Sequence, residues 1–258
     1  MFTTPVLLIT FNRPDHTRRT LEALLAQRPN ELYIFQDGPR NGNQDDLVNC
    51  ERVRSVMDEL LSALEYDLTL HKHYSEINRG CRDAIIYAIS SVLHEHESVI
   101  IVEDDIITSP AFLSYMNVAL EYYKDNKSVH SISGHSHSPS KFKVPDTYTY
   151  DVYASPRLFN WGWATWRDRW EKVDWSMSYY DTFINNPAQI EAFNRGGEDM
   201  LSMLIDEKEG RSSAWDIQFA FDHFKHHVVS IVPCISYTKN IGCDGSGTHC
   251  ASAAVESD

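Results

Sequence analysis

Three consecutive acidic residues, Glu103, Asp104 and Asp105, follow directly after the apolar run VIIV at 99–102. Such a run is typical of a buried strand, and ligands of open α/β sheets bind outside the carboxyl ends of the strands. Carboxylates grouped there are costly unless a cation or hydrogen-bond donors compensate their charge. Mg²⁺ or Mn²⁺ compensates it well, because one or two carboxylates hold these hard cations together with substrate phosphates. The triplet therefore indicates a metal site for a diphosphate ligand, although two acids that merely begin a loop would show the same pattern.

Apolar strands and amphipathic helices alternate along the part of the chain that must position this triplet. Hydrophobic periodicity, turn residues and cap residues predict their bounds. Strands are predicted at 5–11, 31–37, 67–73, 99–105 and 228–237, and helices after Asp15 and at 49–64, 81–96, 110–124, 187–210 and 214–227. This order predicts an α/β fold with a mainly parallel, doubly wound, Rossmann-like sheet flanked by helices.

An aromatic block, LFNWGWATWRDRW, occupies 158–170, after a polar segment at 135–147 that predicts a loop. Three of its tryptophans have helical spacing and fit core packing: Trp163, Trp166 and Trp170. Gly162 stands between two tryptophans, which indicates a tight backbone approach rather than a regular helix. Flat aromatic faces also suit sugar rings, so Trp161, with Asn160 beside it, is the preferred candidate for contact with a sugar acceptor.

The formal net charge of −14 argues against nucleic acid as a partner, because neutralising phosphates requires clustered Lys and Arg. An anionic small ligand would need a local device, such as a metal ion or a few placed arginines, to overcome this field. No run of about eighteen apolar residues occurs, so no transmembrane helix is expected. No basic segment or cleavage site precedes the first strand, so no secretory signal is expected.

The cysteines favour a cytoplasmic protein. There are five, an odd number, at scattered positions and with no CxxC pair: Cys50, Cys81, Cys234, Cys243 and Cys250. This pattern predicts reduced thiols. The same scatter disfavours zinc, for which the stretch 243–250 would be the only candidate.

Five segments, taken in order, resemble one family. They are LLITFNRP, FQDG, VEDDIITSPAFLSYM, FNWGWATW and SAWDIQF. Together they are similar to the GT-A fold glycosyltransferases, and most of all to the N-acetylglucosaminyltransferase I type and its bacterial relatives. The resemblance runs from about Pro5 to His249, and the segment 135–150 has no counterpart in it.

The resemblance implies roles for the residues around the triplet. Asp105 would be the direct metal ligand, with Asp104 beside the donor ribose or sugar and Glu103 supporting the site. Arg13, in FNRP, would lie against the nucleotide or diphosphate. Asp37, in FQDG, would hydrogen-bond the base, which in this family is usually uracil.

Three further roles concern residues outside the first two strands and the triplet. Arg82 opens a helix at a position that the family uses near the nucleotide. Asp216, in AWDIQF, matches the family's catalytic base. His249 lies in a glycine-rich loop that could close over the donor, where it would complete the metal shell or contact the diphosphate.

Each of these residues also has a purely structural interpretation. Arg13 could cap surface carbonyls, and Asp37, which precedes Gly-Pro, could serve only in a turn. Arg82 lies near a helix start, where the dipole disfavours cations unless an anion binds there too. Asp216 could simply cap its helix, and His249 could be an exposed loop residue.

The function that these features predict is sugar transfer from a nucleoside diphosphate sugar, with uridine the expected nucleoside, to an acceptor hydroxyl. One base and no nucleophile imply inversion at the anomeric carbon, and retention stays an alternative at this level. The enzyme would be a hexosyl- or N-acetylhexosaminyl-transferase of bacterial polysaccharide or lipopolysaccharide synthesis. Its acceptor would be a glycan or lipid-linked glycan, with peripheral membrane association left open. The whole chain, 1–258, is expected to form a single GT-A domain, with a nucleotide-sugar half at 1–134 and an acceptor and base half at 135–258.

Two other classes of function remain open at this level. A nucleotidyltransferase that makes sugar nucleotides usually carries a Gly-rich loop with Lys or Arg after the first strand, and TFNRPDHTRRT lacks the glycines. A non-catalytic module that binds a sugar nucleotide or glycan would keep the pocket but could discard the base. Turnover of a panel of UDP-sugars with Mn²⁺ would separate the three.

Overall fold

The computed structural model describes residues 3–245, and an eight-stranded sheet forms its centre. The strands of this sheet are β1 (Val6–Thr10), β2 (Glu31–Gln36), β3 (Thr69–Tyr74), β4 (Ser98–Glu103), β6 (Val129–Ser133), β7 (Val152–Ser155), β8 (Trp163–Trp166) and β9 (Val229–Pro233). Their order is β3-β2-β1-β4-β8-β6-β9-β7. A second sheet pairs β5 (Ile106–Thr108) with β10 (Thr238–Asn240) in antiparallel fashion.

Most strands of the large sheet run in one direction. β1 pairs in parallel with β2 and β4, β2 pairs in parallel with β3, and β6 pairs in parallel with β9. β8 is antiparallel to both of its neighbours, β4 and β6, and β7 is antiparallel to β9. The predicted α/β fold with a mainly parallel, Rossmann-like sheet is confirmed.

Helices cover both faces of the sheet. Their bounds are α1 (Pro14–Leu25), α2 (Gln44–Ser62), α3 (Cys81–Glu95), α4 (Phe112–Tyr123), α5 (Arg167–Trp170), α6 (Tyr180–Phe183), α7 (Pro187–Phe193), α8 (Met200–Lys208) and α9 (Trp215–His226). Among the described residues, 3–245, none of these helices is long and apolar enough to cross a membrane. Residues of α1, α2 and α4 pack on one face of the sheet, and residues of α3, α5 and α9 pack on the other.

The central strands supply both cores because successive side chains of a strand point to opposite faces. In β1, Val6 and Leu8 pack towards α1, whereas Leu7 and Ile9 pack towards α3. The carboxyl end of β1 is therefore held from both sides. A third apolar cluster lies between α6, α7, α8 and α9.

Two predicted helical patterns have a different structure. The tryptophan block contains a strand, β8, in which all four residues are buried, so its spacing reflects packing on two sides rather than a helix. The predicted helix at 187–210 is interrupted after α7 by a 3₁₀ turn and by Gly197, whose φ is 152°. The predicted loop at 135–147 is confirmed, because it contains no helix or strand.

Candidate active site

A cavity of about 610 Å³ opens at the carboxyl ends of β1, β2 and β4. It is lined by residues 9–13, Asp37, Arg40, Asn78, 80–81, Ala84, Ile85, 103–105, Asn160, Trp161, Ser213, Asn240 and Gly242. Of the ten predicted site residues, seven line this cavity: Arg13, Asp37, Glu103, Asp104, Asp105, Asn160 and Trp161. Polar groups from distant parts of the chain meet there because parallel strands bring their carboxyl ends to one edge of the sheet.

The acidic triplet spans the end of β4 and the turn into β5. Asp104 is buried and faces α1, where its carboxylate accepts hydrogen bonds from the backbone N–H of Phe11 and from the Arg13 side chain. Its backbone carbonyl accepts from Thr20 Oγ1 at 2.9 Å. Asp104 thereby joins β4 to the end of β1 and to α1.

Arg13 pairs with two of the three acids. Its Nη2 lies against Asp104 Oδ1 and 2.9 Å from Asp105 Oδ2. Burial disfavours the charged guanidinium, but the attraction of Asp104 and Asp105 outweighs this, so the pKa of Arg13 is raised above its usual value. The positive charge of Arg13 therefore offsets part of the negative charge of the triplet.

Negative charge remains in excess despite this arginine. Burial, followed by the charges of Asp105 and Asp104, raises the pKa of the Glu103 carboxyl. Asp105 Oδ2 accepts from Arg13, whereas Asp105 Oδ1 accepts no hydrogen bond from any residue between 3 and 245. One carboxylate oxygen in the cavity thus retains its capacity for a cation.

The segment after β10 closes over Asp105. The backbone N–H of Ile241 donates to the Asp105 carbonyl at 2.9 Å, and Gly242 N–H donates to Asn240 Oδ1 at 2.7 Å. A Cβ on Gly242 would lie only 2.1 Å from Asp105 Oδ2. Only glycine permits this approach without displacing the carboxylate or the loop.

The Asp37 carboxylate accepts hydrogen bonds from its own turn and from the loop before α3. The donors are the backbone N–H groups of Gly38, Arg79 and Gly80 and the side-chain amide of Asn78, at 3.0 to 3.1 Å. Burial is the largest influence on this carboxyl and raises its pKa, against the lowering effect of the backbone donors. Asp37 therefore holds the loop 78–80 at the start of α3, as the turn interpretation expects. Its predicted contact with the base stays a prediction.

Arg82 does not line the cavity. Its guanidinium donates to Asp83 at 2.9 Å and to the buried Glu207 of α8 at 2.8 Å. Its neighbour Cys81 lines the cavity instead, and burial, with the charges of Glu103 and Asp216, raises the pKa of this thiol to about 12. The structure therefore brings Arg82 to α8 and leaves its predicted nucleotide contact as a prediction.

Asp216 lies in the first turn of α9, half-buried and next to the cavity. Its negative charge contributes to the raised pKa of both Glu103 and Cys81, as a carboxylate near the triplet would. Asp216 does not itself line the cavity, and Ser213 lines the wall just before α9. Its predicted role as a base stays a prediction.

Trp161 and Asn160 line the cavity from the segment just before β8. Trp161 is half-buried, its carbonyl accepts from Thr238 Oγ1 at 2.8 Å, and its ring lies 4.4 Å from that of His135. Gly162 has a φ of 75° and contacts Phe112 and Thr238, which confirms the tight approach expected there. The predicted ligand His249 lies outside the described residues.

Sequence reasoning missed some features of this site. Arg40 lines the cavity three residues after Asp37, and Asn78 lines it through the loop before α3. Arg40 lies in the stretch DGPRNGN, whose residue types favour a turn but do not indicate where its side chain lies. The expectation of reduced thiols holds for the free cysteines Cys50, Cys81 and Cys234 and is wrong for Cys243, which forms a disulfide.

Comparisons with known proteins place the chain in a family. The GNT-I family matches residues 1–196, whereas a search of curated proteins found no match. Among solved structures, the chain is similar to a UDP-glucose pyrophosphorylase complexed with UDP-glucose, with 10% identity, a TM-score of 0.44 and 92% of each chain covered. It is also similar to a 4-diphosphocytidyl-2C-methyl-D-erythritol synthase from Anaerococcus prevotii DSM 20548, with 10% identity, a TM-score of 0.35 and 72% and 79% of the two chains covered. Because the family match spans 196 of the 258 residues, the chain belongs to the GNT-I family of glycosyltransferases, as its resemblance to the N-acetylglucosaminyltransferase I type implied.

Proposed function

We propose that the chain is a metal-dependent glycosyltransferase that moves a hexosyl or N-acetylhexosaminyl group from a UDP-sugar to an acceptor hydroxyl, with inversion. The observation that supports this best is the triplet 103–105 at the edge of a 610 Å³ cavity, with Asp105 Oδ1 left without a donor among the described residues. A nucleoside diphosphate sugar carries the diphosphate that such a site requires if a cation binds there.

The donor set fits Mn²⁺ or Mg²⁺ bound partly by the substrate. Within residues 3–245, no group of three His, Cys, Asp or Glu side chains is arranged to enclose a metal ion. Among residues 3–245, Asp105 would therefore be the ligand of the cation, with substrate phosphates completing its shell. When bound, the ion supplies Lewis acidity that offsets the charge developing on the leaving diphosphate.

The protein's own residues would bind and orient the donor. Asp104 and Asp105 fix the Arg13 guanidinium just after the end of β1, against the triplet. Asp37 holds the backbone of 78–80, where Asn78 and Gly80 line the cavity. Asp37, Asp104 and Asp105 thus hold hydrogen-bond donors of the protein in place before the substrate binds. This reduces the conformational entropy lost on binding.

Asp216 would take the proton from the acceptor hydroxyl. Its charge acts on Glu103 of the triplet, and it follows Ser213 of the cavity wall by three residues, whereas Asn160 and Trp161 are assigned to the acceptor. A single base and no protein nucleophile suit one in-line displacement, so the anomeric configuration inverts.

The remaining assignments complete the proposal. We propose one GT-A domain over 1–258, with the nucleotide sugar bound mainly by 1–134 and the acceptor by 135–258. The acceptor is a glycan or lipid-linked glycan of bacterial polysaccharide or lipopolysaccharide synthesis, and the protein works in the cytoplasm, in peripheral contact with a membrane when the acceptor is lipid-linked. Arg82 supports the nucleotide side from α3, and His249 stays a candidate ligand of the metal or diphosphate.

A panel of UDP-sugars with mixed glycan acceptors tests the proposal, with UDP release and product mass measured in Mn²⁺ and in EDTA. We expect turnover in Mn²⁺, loss in EDTA, and loss in Asp105→Ala with the thermal midpoint retained. Asp244→Ala, an acid of the neighbouring loop that does not line the cavity, is the matched control. Full activity in EDTA would exclude the metal, and pyrophosphate release from UTP and a sugar 1-phosphate would establish a nucleotidyltransferase instead.

A further inference from the structure

A buried acid at the start of α2 holds an arginine at the rim of the cavity. Asp46 is 1% exposed, and its carboxylate accepts from Arg40 Nε at 2.6 Å and from Arg40 Nη2 at 2.8 Å. The backbone N–H of Arg40 donates to the same carboxylate at 3.2 Å. A two-pronged pair of this kind fixes the plane of the guanidinium as well as its position.

The same carboxylate also fixes the end of β1. Asn12 Nδ2 donates to Asp46 Oδ1 at 2.7 Å, and both Asn12 and Arg40 line the cavity. The bonds from Arg40 lower the pKa of Asp46 to about 2, so the carboxylate stays charged at neutral pH. Asp46 thus organises two cavity residues from two separate segments without lining the cavity itself.

Arg40 keeps donor capacity on the open side. Its Nη1 donates to no residue of the described part, 3–245, and its side chain is 59% exposed. Its Cζ lies 5.7 Å from the centre of the Phe11 ring, another part of the cavity wall. The guanidinium therefore presents free N–H groups at the rim of the cavity.

The sheet order separates Arg40 from the triplet. Arg40 follows β2 and the triplet follows β4, with β1 between them. Neighbouring strands lie about 4.8 Å apart, so the carboxyl ends of β2 and β4 are about 10 Å apart. A nucleotide whose diphosphate lay at Asp105 would extend its nucleoside across these strand ends, on the side of Arg40.

We propose that Arg40 binds the nucleoside part of the donor, donating from Nη1 to a carbonyl oxygen of the base, and that Asp46 is its positioning residue. The inference rests on the proposed function, because it takes the ligand to be a nucleoside diphosphate. An arginine offers only donors, so it matches a base that carries carbonyl acceptors, as uracil does. The charge of Arg40 is already offset by Asp46, which suits a neutral base better than a diphosphate.

Binding of UDP and of uridine to the wild-type protein and to Arg40→Ala tests this, by calorimetry for UDP and NMR titration for uridine. We expect both affinities to fall by the same factor, about tenfold or more, since hydrogen bonds to charged groups contribute about 1.5–3 kcal/mol. Arg18→Ala removes another two-pronged pair, with Glu59 outside the cavity, and should change neither affinity. A loss confined to UDP would place Arg40 on the phosphates, and no loss would leave a structural ion pair, so either result overturns the inference.

The variant Asp46→Asn tests whether Asp46 affects uridine binding by positioning Arg40. If Asp46 acts through Arg40, the double variant Arg40→Ala with Asp46→Asn should bind uridine no more weakly than Arg40→Ala alone. Additive losses would contradict the positioning role. A wild-type protein that binds neither UDP nor uridine would refute the proposed function itself, which keeps the two failures distinguishable.

Discussion

At the scale of single residues, the partners of each carboxylate decide what it can do. Asp37 is saturated by donors from its own loop, and Asp46 by Arg40 and Asn12. Asp104 is shared between Phe11 and Arg13. Asp105 keeps one oxygen without a donor among residues 3–245, which makes it the acid of the cavity best suited to a metal.

Asp216 should be essential for turnover and dispensable for folding. Asp216→Asn keeps the size of the side chain and most of its capping ability but cannot accept a proton. We expect normal UDP affinity and a normal thermal midpoint. We expect kcat to fall by at least about a hundredfold, the usual loss when a general base is removed. A near-normal kcat would remove Asp216 from the mechanism, whereas a collapse of stability would identify it as a helix cap only.

Among the structural elements, two short segments shape the cavity through contacts with distant parts of the chain. The pairing of β10 with β5 brings Gly242 onto Asp105, and Asp37 holds the loop 78–80 before α3. Neither segment is a long periodic helix or strand. Each is held by contacts with residues far away along the chain, so a change there should affect the site before it affects the fold.

Gly242→Ala should disturb Asp105 directly. The added Cβ would lie 2.1 Å from Asp105 Oδ2 and 3.0 Å from Arg13 Nη1, so the carboxylate or the loop must move. We expect activity to fall about tenfold or more, since small displacements of catalytic groups cost up to about a hundredfold, with the thermal midpoint nearly unchanged. Ile241→Ala, in the same loop but away from the cavity wall, is the control. Wild-type activity in Gly242→Ala would show that the loop adjusts freely.

Asp37→Ala should lower stability and nucleotide affinity together. Removing the carboxylate leaves the backbone N–H groups of Arg79 and Gly80 without their acceptor, whereas the Asn78 amide keeps the carbonyl oxygen of Gly38. Each buried donor left unsatisfied costs about 1–3 kcal/mol, so urea unfolding should show a loss of at least that size. An unchanged unfolding free energy with weaker nucleotide binding would instead assign Asp37 to the base.

At the scale of the whole molecule, α9 joins two apolar cores. Its residues Trp215 and Phe219 pack with α3 and α5 against the sheet, and Ile217 and Phe221 pack with α6, α7 and α8. Asp216 begins this helix, so the position of the proposed base depends on both cores at once. Further along, the helix buries His223 completely, with its ring 5.4 Å from that of the buried His130 on β6.

These two histidines should make the protein sensitive to acid. Burial lowers the pKa of His223 to about 3 and that of His130 to about 4. The unfolded chain protonates these histidines near pH 6.5, whereas the folded chain does not. The free energy of unfolding therefore falls as the pH drops below about 6.5. Each histidine contributes a loss of roughly 1.4 kcal/mol for each pH unit. His223→Leu should weaken this dependence in urea unfolding between pH 5 and 7. An unchanged pH slope would show that His223 binds protons equally in the folded and the unfolded chain.

Much of the fold could be predicted because it depends on local periodicity. The apolar runs of β1, β2 and β4 and the helical spacing of α3 are properties of neighbouring residues, and the acids after β4 had to lie at the carboxyl edge of a parallel sheet. The insertion of β8 between β4 and β6 could not be predicted in this way. Every residue of β8 is buried, so the strand shows no alternation to detect.

Local sequence pattern was enough to predict that the acidic triplet, Arg13 and Asp37 lie at one edge of an α/β sheet, because alternating strands and helices bring strand ends together there. Which side chains pair with one another became visible in the folded structure. It paired Arg82 with Glu207, 125 residues away, and gave Arg40 to a buried Asp46 that also holds Asn12. In the folded chain, the Asp37 carboxylate accepts hydrogen bonds from residues 78–80. Asp105 keeps one carboxylate oxygen that accepts a hydrogen bond from no described residue. Partners of this kind depend on which side chains the folded backbone brings within about 3 Å, a distance that spacing along the chain does not encode.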